Sequence, residues 1–157
     1  MIRRILVVDD ESHIVQVVSL KLRNAGYEIL TAVDGEEAIE LVRRNPTQQP
    51  DLIITDFQMP YMTGLELCRA LADQPGTASI PVVILTARGY SLDDSDLSIG
   101  NIKAVLSKPF SPRAILQLVK KLLGEVDTES EPSTFSLESS PQATRLDAQD
   151  SKESEAA

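Results

Sequence analysis

The chain has no tryptophan, one cysteine and one histidine, and aromatic residues make up 4 % of it. A single cysteine, Cys68, excludes an internal disulfide and fits a reducing compartment; its expected place is a small apolar position on a helix. No apolar run approaches the roughly 20 residues of a membrane span. The opening Met-Ile-Arg-Arg leads directly into a strand-like run, which argues against a secretory leader and for a cytoplasmic protein. A basic stripe is also missing, so direct nucleic-acid binding is not expected. The negative charge is unevenly spread: residues 125–157 hold nine carboxylates against Arg145 and Lys152, a net of −7, and the remainder holds 15 acidic against 13 basic side chains, a net of −2.

Within the 157 residues, the first 124 alternate two kinds of segment. Short runs rich in Val, Ile and Leu fall at 3–8, 28–32, 51–55, 81–86 and 102–107. They are apolar on both faces, as strands of a parallel sheet covered on both sides should be. Helical patterns lie between them. Ser12 is placed to cap 13–24, with Ile14, Val17, Val18 and Leu22 on one face. Asp34 with Glu37, and Thr63 with Glu66, have the spacing of capping boxes for 35–44 and 64–73. Ser111-Pro112 starts 112–123, whose stripe is Ile115, Leu118, Val119 and Leu122. Residues 91–99 are poor in apolar side chains, so the fourth helix is the weak one and a short or mobile element is expected there. The βα alternation implies right-handed crossovers and a doubly wound α/β sheet of five parallel strands. From Glu125 onward Ser, Thr, Glu, Asp and Pro dominate. Such a segment cannot bury enough surface to offset chain entropy, and a disordered acidic tail over 125–157 is expected after a domain at 1–124.

Chemistry concentrates at the strand ends. Asp9 and Asp10 follow the first run, Asp56 the third, Thr86 the fourth and Lys108 the fifth. In an open parallel sheet these ends share the carboxyl edge, where ligands bind. Three carboxylates, an ammonium and a hydroxyl in one crevice suit a divalent cation and a phosphoryl group. Adjacent acids repel unless a cation intervenes, and Mg²⁺ is held by one or two carboxylates and water. Asp56, followed by Pro60 and Gly64 in an ordered turn, can serve as a nucleophile towards phosphorus. Each feature alone has a plain reading: a solvated turn, a helix cap, a strand terminus. Lys108 is the most distinctive, since the residue before a proline is held extended and aims its side chain. The Lys108–Pro109 bond is also of the kind that can be cis.

Together, Val7-Val8-Asp9-Asp10-Glu11, Asp56-x-x-Met59-Pro60-x-x-x-Gly64, Thr86-Ala87 and Lys108-Pro109-Phe110 resemble the receiver domain of two-component response regulators, from Arg3 to Leu123. The resemblance implies a flavodoxin-like, CheY-like fold with strand order 2-1-3-4-5 and five helices. It implies that Asp56 accepts a phosphoryl group from a sensor histidine kinase or a histidine phosphotransfer protein. Asp10, Asp56 and the backbone carbonyl of Gln58 would bind Mg²⁺, with Asp9 helping directly or through water. Lys108 would pair with one phosphoryl oxygen, and Thr86 with the Ala87 N–H would take another. The expected output is phosphorylation-dependent binding of an effector protein by a stand-alone regulator, in a phosphorelay and with no turnover beyond its own modification.

The alternatives are a constitutively binding pseudo-receiver and a Mg²⁺-dependent aspartyl-phosphate phosphohydrolase. Gln58 argues against the second, because haloacid-dehalogenase-like enzymes need an aspartate there. Several positions depart from the family pattern. Val105 stands where many receivers carry Tyr or Phe, which removes the usual aromatic lever; Tyr90 is a candidate substitute, but its plainer reading is an exposed loop tyrosine. Asn101 replaces a frequent glycine in a turn where asparagine tolerates the left-handed conformation. Gln58 and Arg88 are expected to tune the lifetime of the phosphorylated form. His13 is read as an exposed polar residue beside the site.

Overall fold

In a computed structural model of the chain, residues 2–87 and 92–125 are described. The chain divides after Leu123, and the fold below is that of Met1–Leu123. Its elements alternate: β1 Arg4–Val8, α1 Ser12–Asn24, β2 Glu28–Ala32, α2 Gly35–Arg44, β3 Leu52–Asp56, α3 Gly64–Ala72, β4 Val82–Thr86, α4 Asp94–Leu97, β5 Ile102–Ser107 and α5 Pro112–Leu122. The strands form one parallel sheet in the order β2-β1-β3-β4-β5. This is the doubly wound, flavodoxin-like topology, with the reversal of strand order between β1 and β3. No helix among the described residues is long and apolar enough to cross a membrane.

The sheet separates two apolar layers, and side-chain alternation assigns residues to them. Leu6, Val8, Ile53 and Ile84 face Ala38, Val42, Leu67, Cys68 and Leu71 from α2 and α3. Ile5, Val7, Ile54, Val83 and Leu85 face Val18 and Leu22 of α1 and Ile115 and Val119 of α5. The strands at the centre of the sheet are therefore apolar on both sides, as the sequence predicts. The edge strands are not. β5 alternates half-buried and exposed residues, and β2 exposes Glu28 and Thr31 and fully buries only Ala32, because each edge strand has a neighbouring strand on one side alone.

Local signals set the helix ends, with several corrections. Thr63 and Glu66 form the full capping box of α3. Asp34 caps α2 by accepting from the Glu37 N–H, but the Glu37 carboxylate accepts from the Val33 N–H, not from that of Asp34. Ser111 caps α5 by accepting from the Ala114 N–H. Ser12 is not the cap of α1. It is the first helical residue, and the capping position falls on Glu11, whose side chain turns to Lys108 instead. Val17, expected on the buried stripe, is 43 % exposed. α4 is a single turn within the weak region at 91–99, held by a reciprocal Asp93–Asp96 cap and an Arg69–Asp96 ion pair of 3.6 Å. Asn101 is not left-handed: it is buried, and its side-chain amide donates to the Cys68 carbonyl at 3.0 Å, tying the turn before β5 to α3. Arg88 and Tyr90, and the tail after Glu125, lie outside the described residues.

Candidate functional site

The register of the sheet brings the strand ends together. Val8 pairs with Thr55, Asp56 with Leu85 and Thr86 with Ser107, so Asp9 and Asp56 emerge level with each other at the carboxyl edge, and Ala87 and Lys108 follow two positions further along β4 and β5. Backbone bonds extend the ladders to these positions: the Phe57 N–H donates to the Leu85 carbonyl and the Lys108 N–H to the Thr86 carbonyl, both at 2.8 Å. The Lys108–Pro109 peptide is cis.

The result is a cleft of ≈ 380 Å³ lined by Asp10, Glu11, Asp56, Gln58, Ala87 and Lys108. Lys108 Nζ lies 2.9 Å from Asp56 Oδ1, 3.3 Å from Glu11 Oε1 and 3.6 Å from Asp9 Oδ2. One ammonium thus serves three carboxylates. Asp10 is exposed at the rim, while Asp9 is buried, at 1 % exposure. Asp9 Oδ1 accepts from the Glu11 N–H at 2.9 Å, but its Oδ2 is buried with no hydrogen-bond partner among the described residues.

Burial governs the electrostatics. Removal from water pushes the Asp9 carboxyl up to about 6; the Asp56 charge adds to this, while the Glu11 N–H and Lys108 oppose it. Burial also raises Asp56 above the ordinary carboxylate range, against the hydrogen bond and charge of Lys108. For Lys108 the largest influence is burial, which lowers it, but the bonds and charges of Asp56, Asp9 and Glu11 together raise it.

A carboxylate oxygen from each of Asp9, Asp10 and Asp56 can lie within 4.8 Å of the other two. Crowded acids with one orphaned buried oxygen fit a hard divalent cation, whose charge would relieve both the repulsion and the desolvation. The residues present therefore fit Mg²⁺. Thr86 is buried, and its hydroxyl also makes no hydrogen bond among the described residues. Such an orphan next to a polar cleft is a donor without an acceptor.

All the sequence-predicted site residues within the described segments lie on this one edge. Glu11 was missed as a partner of Lys108. The signal was present in the unbroken run Asp9-Asp10-Glu11, but three successive acids in a loop read as a solvated turn. Gly64 holds the other side of the site. Its N–H donates to the Phe57 carbonyl at 2.8 Å, and a Cβ there would sit 2.5 Å from the Asp56 carbonyl oxygen. Only glycine lets α3 begin this close to the end of β3.

Comparison with known proteins agrees with this geometry. Residues 5–120 match the family model of the response regulator receiver domain. The chain is 39 % identical over 124 residues to the alkaline phosphatase synthesis transcriptional regulatory protein PhoP of Bacillus subtilis, covering 78 % of this chain and 49 % of that protein. It is 37 % identical to the DNA-binding dual master transcriptional regulator RpaA of Synechocystis, covering 79 % and 50 %. The chain thus spans about half the length of these curated relatives. Among solved structures, the chemotaxis response regulator CheY4 of Vibrio cholerae superposes with a TM-score of 0.70 at 33 % identity, over 78 % of this chain and 99 % of that one. The receiver domain of the sensor histidine kinase PA1611 of Pseudomonas aeruginosa, solved with magnesium in its active-site cleft, superposes at 0.66 and 26 % identity, over 80 % and 100 %. With its fold, its carboxyl-edge cleft and residues 5–120 all in agreement, this chain belongs to the response regulator receiver domain family.

Proposed function

We propose that the chain is a phosphorylation switch in which Asp56 accepts a phosphoryl group from a phosphohistidine and the modified form binds an effector protein. The observation that carries this reading is the Lys108–Asp56 contact of 2.9 Å beside the Asp9–Asp10 pair. Asp56 Oδ forms the new O–P bond as the P–N bond of the donor breaks, and the electron pair leaves with the imidazole. Phosphoryl transfer depends on in-line positioning and charge neutralisation far more than on acid–base groups. Lys108 opposes the protonation of Asp56 that burial favours, aims the carboxylate before transfer and pairs with a phosphoryl oxygen after it. The Thr86 hydroxyl and the Ala87 N–H take a second oxygen, which gives the orphaned hydroxyl its acceptor. Asp9, Asp10, Asp56 and the Gln58 carbonyl would hold Mg²⁺, and the bound ion supplies charge neutralisation at the phosphoryl oxygens.

Gln58 lines the cleft but offers no carboxylate for acid–base work, so turnover is confined to the chain's own modification. The donor is a histidine kinase or a phosphotransfer protein in the cytoplasm. An apolar groove of ≈ 530 Å³ beside the cleft, lined by His13, Ile14, Val17, Pro109 and Phe110 among others, gives that donor a surface to dock on. The exposure of Val17 fits this use.

The test is mass spectrometry of the chain incubated with acetyl phosphate and Mg²⁺, or with a phosphohistidine donor. A labile gain of one phosphoryl group in the wild type, absent from Asp56→Ala, is expected. Failure with every donor would leave a constitutive binding module. A DNA-regulating role is a second reading, favoured by the relatives named as transcriptional regulators. A gel-shift assay with the phosphorylated chain separates the two.

A further inference from the structure

The exposed face of α2 carries a charge pattern that the phosphoacceptor site does not use, over two side chains, Ile39 and Met62, that pack at the margin of the core. Glu36, Ile39, Glu40, Arg43 and Arg44 follow the i, i+3, i+4, i+7, i+8 spacing of one helix face, and with Met62 they line a groove of ≈ 650 Å³. The four charged residues are exposed; Ile39 and Met62 are half-buried and form the apolar floor. The first half of the face is acidic and the second half basic. Among the described residues, their one ion pair, Arg44–Glu40 at 3.7 Å, is loose and solvated.

An unusual loop stands at the acidic end. The Met62 N–H donates to the Pro60 carbonyl at 2.8 Å across Tyr61, whose φ is +70°. A three-residue turn with positive φ is strained for any residue but glycine, and it persists only where its surroundings hold it. Here Met62 is seated against Gly35, the first residue of α2, where a Cβ would come within 2.6 Å of the Met62 sulfur. The turn leaves Tyr61 89 % exposed, with Val33 also projecting into solvent from the loop before α2.

We propose that this face is a self-association surface, on which a second copy of the chain packs with its α2 antiparallel to the first. A two-fold axis beside Ile39 and Glu40 sets Glu36 of each copy opposite Arg43 and Arg44 of the other. It closes the apolar floor over Ile39 and Met62. The facing Glu40 side chains are then flanked by arginines from both copies. Tyr61, at the start of α2, meets the arginines at the end of the other α2, where guanidinium groups stack on an aromatic face. An acidic start and a basic end also suit the dipole of an isolated helix. That explanation requires neither an apolar floor nor a strained turn that exposes an aromatic ring. A surface complementary to itself under a two-fold rotation is the defining property of an isologous dimer. The proposal stands independently of the phosphoacceptor reading.

Sedimentation equilibrium of the full chain at low salt tests it. A monomer–dimer equilibrium is expected with a Kd on the order of 100 μM or below, in the range of small transient interfaces, weakening as salt screens the charges. Two charge reversals, E36R with E40R in one chain and R43E with R44E in another, should each leave a monomer. An equal mixture of the two should restore a dimer, now heterologous in charge. Y61G, which relieves the positive φ, should weaken the dimer by about tenfold while leaving the chain folded. A wild type that stays monomeric across this range, or a dimer that both reversals leave intact, overturns the proposal. Circular dichroism confirms that each variant is folded; if a reversal unfolds the chain, Y61G alone decides.

Discussion

Asp9 is the residue whose removal should say most about the cleft. Its carboxyl is raised to about 6 in the folded chain, from 3.8 for an unperturbed group. The folded state therefore binds a proton more tightly than the unfolded state. Stability from this group is fully present below the unfolded value and is lost as pH rises through about 6. In cation-free buffer at pH 7.5, Asp9→Asn should be more stable than the wild type by about 1–3 kcal/mol, and the gap should close towards pH 4. Thermal melts across pH check this. Mg²⁺ should reverse the order at pH 7.5, stabilising the wild type alone, and should lose that effect as Asp9 protonates. Lys108 gives the complementary case. Its loss in Lys108→Ala leaves Asp9 and Asp56 without their shared cation, and a cost of about 1–3 kcal/mol at neutral pH is expected, shrinking at pH 5 as Asp9 protonates. Denaturant titrations at the two pH values measure it.

At the scale of elements, the approach of α3 to β3 makes a sharper demand than either element does alone. Gly64→Ala places a methyl group against the Asp56 carbonyl, with nothing flexible to yield. It should cost about 1–3 kcal/mol in a denaturant melt, and it should weaken Mg²⁺ binding by calorimetry because the end of β3 must shift. The sequence made this contact partly legible, since Gly64 follows Asp56 at a spacing the receiver motif shares. Strand identities, helix stripes and the carboxyl-edge site were also readable, because period and strand-end chemistry are local. What escaped reading depends on neighbours far along the chain. Val17 has apolar helical spacing, yet it lies at the rim of a groove and stays largely open to solvent. Glu11 leaves its capping role because Lys108, 97 residues away, claims its carboxylate. Asn101 takes up the Cys68 carbonyl across 33 residues and so needs no left-handed turn. Val105, flagged for lacking an aromatic ring, is 36 % exposed on the edge strand, where the one-turn α4 gives it little cover.

For the molecule as a whole, Cys68 offers a reporter already in place. It is buried in the α2–α3 layer, and burial pushes its thiol up to about 12. The native chain holds it protonated and inaccessible, and a thiol reagent at pH 8 should label it only as fast as the layer opens. Labelling rates that follow the global unfolding rate across urea concentrations would confirm that this layer opens as a unit. Labelling that is fast in native buffer would show that α3 detaches by itself.

The strand order β2-β1-β3-β4-β5 has a consequence for how the protein wears out. Asp56 ends the middle strand, walled by β1 and β4, whereas Lys108 follows β5, an edge strand paired on one side and half-exposed along its length. Edges open at lower free energy than the centre of a sheet. On warming, the lysine should therefore leave its carboxylate before the sheet melts. If Asp56 accepts a phosphoryl group as proposed, the temperature at which acceptance fails will lie below the temperature at which ellipticity is lost, and the working range of the site will be set by the grip of the outermost strand.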